Sequence, residues 1–270
     1  MTQVFTRASL GKISSSVFRL GLATSYRPGK EAVYKALDEG VNYFFYFGFD
    51  TQMVGVLREV VQRDREKYVV ATGAYNYIWG HQNLRRTLEK RLRQLRTDYI
   101  DVFHFLGVMR PKEFTERVRD ELAELRADPR VRGVAISCHN RKFVGELAAQ
   151  GALDAIMIRY DAAHRGAEQE TFPCLAQHQP GVVSYTATRW SYILRRPMGW
   201  PRDGRIPSAG MCYRFVLSNP NVDVCLTAPR SVKELEQNIA AVRQGPLPPE
   251  EMEFMRSFGD AVHRRNKWFM

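Results

Sequence analysis

His139, Asp50, Tyr46 and His104 are the side chains of this sequence best suited to moving a proton. An imidazole titrates nearest neutral pH, a carboxylate exchanges a proton once its surroundings shift it, and a phenol donates when a neighbouring cation lowers its pKa. His139 stands two residues after Ser137 in VRGVAISCHN, so in an extended chain the two share a face. Asp50 ends the aromatic stretch VNYFFYFGFD and is either an acid–base group or the cap of a following helix. Tyr46 in that stretch would bring a hydroxyl to its end, unless alternation with Phe45 turns it away. His104 sits among aromatics in DVFHFLG, where a hydrogen-bonded core histidine is the commoner role. Cys138, Cys174, Cys212 and Cys225 form no CxxC pair, and no spacing of His, Asp and Glu suits a metal, so neither a disulfide nor a metal site is expected.

Positioning these groups falls to two alternating kinds of segment. Short runs rich in Val, Ile, Phe and Tyr recur at 18–24, 41–48, 68–74, 100–107, 131–138, 153–161, 181–188 and 222–229. Several are apolar almost throughout, as strands buried on both faces must be. Between them lie segments with helical spacing, at 30–40, 56–64, 114–128, 167–178, 211–218 and 232–242. Eight strands each followed by a helix define an α/β fold of (β/α)8 TIM-barrel type. A doubly wound sheet would want a GxGxxG turn after its first strand, and GLATSYRPGK supplies none. The first 17 residues, with Gly11-Lys12 between two strand-like runs, predict an N-terminal β-hairpin closing the barrel floor. Residues 1–270 read as one domain, whose chemistry belongs where strands end and βα loops begin.

The chain has 270 residues, 44% hydrophobic and 26% charged, which excludes disorder and a small disulfide scaffold. No stretch approaches the roughly 20 apolar residues that span a bilayer, and the N-terminus lacks a signal-peptide pattern, so no membrane association and a cytoplasmic location are expected. The net charge of +11 points to an anionic partner. Its densest run, Arg85 to Arg96, reads as an amphipathic helix with Leu84, Leu88, Leu92 and Leu95 on one stripe, which makes nucleic acid a minor reading.

The segments RTDYIDVFHFLG, VRGVAIS, IRYDAAHRGAEQETFP, SYTATRW and APRSVKELEQN follow one another in an order that resembles the aldo-keto reductases. SSSVFRLGLATS and ALDEGVNYFF fit that family's opening, and the resemblance spans nearly the whole chain. It implies a TIM barrel that binds NADPH in extended form and reduces a carbonyl by hydride transfer, with a Tyr donor supported by Lys, Asp and His. At those four positions this sequence has Asp50 for the Tyr, Gly73 for the Lys, Phe45 for the Asp and Leu106 for the His. The resemblance carries cofactor contacts onto Ser137, which would hold the nicotinamide amide, and onto Tyr185, which would stack on its ring, with Thr186 beside it. The usual Asn and Gln partners are Cys138 and Met157. Arg230 and Ser231 match the loop that takes the 2′-phosphate, and Asn238 matches the residue that reads adenine. His164, Arg165 and Glu168 match positions without a chemical role.

The leading expectation is therefore an NADP(H)-dependent oxidoreductase with a non-standard proton-transfer group, His139 or Asp50 first. Aromatic residues gathered in loops (Tyr75, Tyr77 and Trp79, with Arg189, Trp190, Tyr192 and Trp200 in 189–207 and Trp268 and Phe269 at the end) suggest a small apolar or aromatic carbonyl substrate. Two alternatives stay open: acid–base chemistry of lyase or isomerase type at the mouth, and cofactor binding without turnover.

Overall fold

Strands that are apolar on both faces need two covers, and here a ring of helices supplies one while the strands' own closure supplies the other. The computed structural model describes residues 5–77 and 80–265; Trp79, Trp268 and Phe269 lie outside them. The chain opens with an antiparallel hairpin, β1 (Arg7–Leu10) and β2 (Ser14–Phe18), as predicted. Eight parallel strands follow the hairpin, with one short strand, β6, among them: β3 (Leu20–Ala23), β4 (Tyr43–Phe45), β5 (Val69–Tyr77), β6 (Gly80–His81), β7 (Val102–Val108), β8 (Val134–Cys138), β9 (Ala155–Arg159), β10 (Gly181–Tyr185) and β11 (Val224–Thr227). Without β6 they pair in the order β4-β3-β11-β10-β9-β8-β7-β5, and β4 pairs with β5 to close the ring. The fold is the expected (β/α)8 barrel.

The outer ring consists of α1 (Lys30–Asp38), α2 (Thr51–Arg63), α3 (Leu84–Leu95), α4 (Glu116–Ala127), α5 (Arg141–Ala149), α6 (Ala167–Glu170), α7 (Ala209–Leu217) and α8 (Val232–Arg243). A last helix, α9 (Pro249–Arg265), packs against the β9–α6 loop, where Gly259 is required because a Cβ there would lie 2.0 Å from the Ala162 carbonyl oxygen. Among the described residues no helix is long and apolar enough to cross a membrane.

Two hydrophobic layers divide the core. Alternate strand residues such as Phe44, Phe103, Ile136 and Ile158 face the helices, while Tyr43, Phe45, Ala135, Met157 and Val183 fill the barrel. Leu10 and Val17 of the hairpin join the interior set, which seats the hairpin as a plug under the barrel. The predicted helix over 167–178 is shorter than expected: α6 ends at Glu170, and Pro173 sits in a 3-10 turn over Phe172–Leu175. Proline has no N–H to give an α-helix and crowds the turn before it.

Candidate active site

Register fixes which side chains meet at the mouth. Tyr185 pairs with Arg159 across β10 and β9, and Ser137 pairs with Met157 across β8 and β9. His139, two residues beyond Ser137, is level with Arg159, so His139, Arg159 and Tyr185 form one row over three adjacent strands. The His139 and Tyr185 rings lie 6.4 Å apart. Below the row are Ser137 and Met157; elsewhere in the barrel's interior lie Phe45 and Leu106. Arg159 is a member that sequence reasoning missed. Its signal was available, since alternation puts residue 159 on the face of Met157.

Burial sets the charges in this row. It pushes the His139 imidazole down to about 4, and the Arg159 guanidinium adds to the effect, so His139 is neutral at pH 7. Burial raises the Tyr185 phenol to about 12, against the pull of Arg159 and the Ser137 hydroxyl. Asp161, fully buried just past β9, accepts from the backbone N–H groups of Ala163 and His164 at 2.8 and 3.0 Å. Loss of water still raises its carboxyl to about 7, although Arg189 and Arg159 oppose the shift. Arg189 is itself fully buried.

The other sequence candidates are placed as follows. Asp50 caps α2, its Oδ1 accepting from Gln52 and Met53 N–H at 2.8 and 3.1 Å. Tyr46 does not reach the mouth; it faces the helical layer, with the Arg91 guanidinium 5.7 Å from its ring centre. His104 faces the interior but is fully buried, one pair of residues below Leu106, with Nδ1 3.3 Å from the Thr72 carbonyl and its ring edge-on to Phe45. Burial pushes it down to about 4. Tyr75 and Tyr77 belong to β5 and stack at 6.1 Å, because that strand runs on past Ala74 and folds back onto β6; neither lies in a loop. Glu168 accepts from Tyr160 and pairs with Arg256, and Arg165 pairs with Asp260.

The two readings of Asp50 separate by substitution. Asn caps a helix about as well as Asp, whereas Ala loses about 1 kcal/mol. Asp50→Ala is expected to lower the denaturation midpoint and Asp50→Asn to leave it within a few tenths of a kcal/mol. An activity retained in Asp50→Asn assigns the carboxylate to the cap, since the amide cannot exchange a proton.

A cavity of about 310 Å³ opens at the ends of β3, β10 and β11, lined by Tyr26, Phe47, Tyr185, Thr186, Trp190 and Tyr213 among others. Its wall includes a backbone under strain. Thr186 has φ 62°, and Arg189, Trp190 and Ser191 have φ of 48°, 50° and 69°, a left-handed stretch without a glycine. Such residues cost on the order of 1 kcal/mol each and gather at ligand sites. At the cavity's edge Arg230 lies 5.2 Å from the centre of the Tyr26 ring, and Ser231 caps α8. Asn238 donates to Thr227 Oγ1, which donates to the Tyr213 hydroxyl. By strand order, a second cavity of about 720 Å³ lies across the barrel, beside Asn76, Tyr77, His81, Arg110 and Glu113.

Phe45 and Gly73 occupy interior positions on neighbouring strands. Gly73 pairs with His104, and a Cβ at residue 73 would lie 2.1 Å from the His104 carbonyl oxygen. Only glycine fits between these backbones.

A closed parallel barrel with a strained loop and a cavity at its C-terminal mouth defines a TIM-barrel protein whose cavity lies among its βα loops. The aldo/keto reductase family model matches residues 19–191, and the chain belongs to that family of oxidoreductases. It is 21% identical to the uncharacterized oxidoreductase YqkF of Bacillus subtilis (strain 168), over 88% of this chain and 90% of that one. Its fold matches that of the holo form of an aldo-keto reductase from Bacillus halodurans with a TM-score of 0.76, at 18% identity, covering 95% and 97% of the two chains. It also matches an aldo/keto reductase from Klebsiella pneumoniae in complex with NADP and acetate, with a TM-score of 0.76, 21% identity and coverage of 98% and 99%.

Proposed function

We propose that this chain is an NADP(H)-dependent oxidoreductase acting on a small carbonyl compound with an apolar or aromatic body, and that its proton-transfer group is not the family's usual one. The observation that carries the reading is the cavity at β3, β10 and β11, where Tyr185, Thr186 and the left-handed stretch meet. The residues present fit a dinucleotide. Tyr185 offers a flat ring to the nicotinamide and Ser137 a hydroxyl beside it. The Arg230 guanidinium, beside Tyr26 and next to the cap of α8, suits a 2′-phosphate. Asn238 reaches the cavity wall through Thr227 and Tyr213.

The bound cofactor supplies the hydride. His139 is the group that meets the carbonyl oxygen: neutral at pH 7, it polarises that oxygen by donating an N–H and passes a proton between it and solvent. Phe45 and Leu106 exclude water from the barrel below. Asp50, engaged at the α2 N-terminus, is the weaker candidate for the same role.

Calorimetric titration with NADPH and NADH tests the reading. Arg230→Ala is expected to weaken NADPH binding about tenfold, which corresponds to losing about 1.4 kcal/mol from a charge-assisted contact, and to leave NADH nearly unchanged. No binding of either nucleotide would remove the proposal. One observation favours a second reading, ligand binding or non-redox chemistry at the mouth: the closeness of β5 and β7 at Gly73 leaves no room for a lysine there. NADPH binding without oxidation by any carbonyl compound would favour it.

A further inference from the structure

We propose that the substrate carries a carboxylate at the end remote from its carbonyl, and that Arg110 and Lys112 bind it in the larger of the two cavities. The substrates would then be oxo acids whose two functions are separated by an apolar or aromatic body. For its reaction this rests on the oxidoreductase reading; the carboxylate site is tested separately from it.

The first support is placement. The cavity of about 720 Å³ begins beside His139. The His139 N–H donates to the Val108 carbonyl at 2.9 Å, and Gly107 and Met109, on either side of Val108, line the cavity. Glu113, also in its wall, is near enough to act on the charge of His139. A molecule whose oxygen sits at His139 therefore has beside it a space of the size that small ligands fill.

The second support is the polar chemistry of the wall. Glu113 is the one carboxylate among the described lining residues, and it is fully engaged. Its Oε2 accepts from the Met109 and Arg110 N–H groups at 2.7 and 3.3 Å and from Asn76 Nδ2 at 3.3 Å, while Oε1 accepts from Arg110 Nε at 3.0 Å. Glu121, behind His81, is engaged in the same way by the Leu84 N–H, Arg117 and His81. Arg110 and Lys112 both line the cavity. Among the described residues, neither the terminal nitrogens of Arg110 nor the Lys112 ammonium makes a hydrogen bond. Two cations facing one occupied carboxylate leave positive charge to spare. The terminal nitrogens of an arginine match the two oxygens of a carboxylate, and a lysine adds a point charge.

The third support is continuity. Tyr75 packs with the interior set at the top of the barrel, and Tyr77, stacked on it at 6.1 Å, lines the cavity with Met109. The two rings bridge the barrel interior and the cations with apolar surface, which suits the body of such a substrate. By strand order this wall lies across the barrel from the cavity assigned to the cofactor, which leaves the substrate as the source of the anion.

The test measures binding rather than turnover: calorimetric titration of the protein, alone and with NADPH, with 3-acetylbenzoate, 4-acetylbenzoate and their methyl esters. At least one acid should bind about fivefold more tightly than its ester, the yield of two solvent-facing cations. Raising the salt from about 50 to about 500 mM should shrink that preference at least twofold, because exposed charges are screened. The joint variant Arg110→Gln with Lys112→Gln should abolish it, Arg110→Lys alone should keep part of it, and NADPH affinity should stay within about twofold in both. Equal binding of acids and esters by the wild type overturns the proposal without recourse to any variant. So does a preference indifferent to salt, or failure of both acids to bind at millimolar concentration. A preference that survives the joint variant overturns it too. If the joint variant weakens NADPH as much as the acid, the two cations serve the cofactor's phosphates and the proposal falls. A preference lost in the joint variant, in a protein that ignores NADPH, upholds the carboxylate site and removes the oxidoreductase reading; NADPH binding with no preference does the reverse.

Discussion

Placing a lysine at residue 73 is expected to break the barrel rather than add a proton-transfer group to it. Gly73 and His104 are paired on β5 and β7, and a Cβ on residue 73 would sit 2.1 Å from the His104 carbonyl oxygen and 2.8 Å from its carbonyl carbon. Those are backbone atoms in the middle of the sheet, which cannot swing aside as a side chain would. Gly73→Ala should already cost about 3 kcal/mol, the upper end of ordinary overpacking. For a chain of this size that lowers Tm by roughly 6–12 °C. Gly73→Lys should cost at least as much, because it adds the same Cβ and a charge. Thermal and urea unfolding of the two variants against wild type measure the effect. A Gly73→Lys protein as stable as wild type would show that the two strands can separate, and would remove the steric argument against a lysine there.

The second large effect is a pH dependence set by Asp161. An aspartate in an unfolded chain titrates near 3.8, whereas burial holds this one at about 7 in the folded protein. Between those values the folded state binds a proton that the unfolded state has released. Its contribution to stability is therefore fullest at low pH, declines as pH rises from about 4 to 7, and is flat above. From pH 5 to pH 8 the loss from this one group is about 2–3 kcal/mol. Asp161→Asn keeps an oxygen to accept from the Ala163 and His164 N–H groups and cannot titrate. Urea midpoints at pH 5 and pH 8 should fall much less in Asp161→Asn than in wild type. Equal falls would mean that Asp161 is ionised throughout, held by Arg159 and Arg189.

The barrel was legible in the sequence because its strands are apolar on both faces and its helices are not, a contrast that periodicity reports directly. The hairpin was legible from Gly11-Lys12 between two strand-like runs. The orientation of Tyr46 was not. Tyr43, Phe44, Phe45 and Tyr46 are all aromatic, so alternation carries no signal until packing assigns Tyr43 and Phe45 to the interior and Phe44 and Tyr46 to the helices. The extension of β5 through Tyr77 was hidden for a related reason. TGAYNY lacks an apolar pattern; Thr72 to Tyr75 are held by pairing with β7, and Asn76 and Tyr77 by pairing with β6. Arg159 was overlooked because a charged residue closing an apolar run reads as the start of solvent. It became visible through the register that sets it beside Tyr185. Strand ends put Ser137, His139 and Tyr185 near the mouth, with His139 on the face of Ser137, whereas Thr186 was marked only by the resemblance to the aldo-keto reductases. The charge balance among Arg159, Arg189 and Asp161 joins two different loops, and only folding brings it into being.

Ring closure also bears on how copies of this chain meet. With β4 bonded to β5, each of the eight barrel strands has a partner on both sides, so none offers a row of unpaired N–H and C=O groups to a stranger. Chains that associate through this body must do so by side-chain complementarity on helices and loops. A polymer grown by addition to the barrel strands themselves would first have to break the cylinder; only the hairpin β1–β2 and the short β6 lie outside that closure among the described residues.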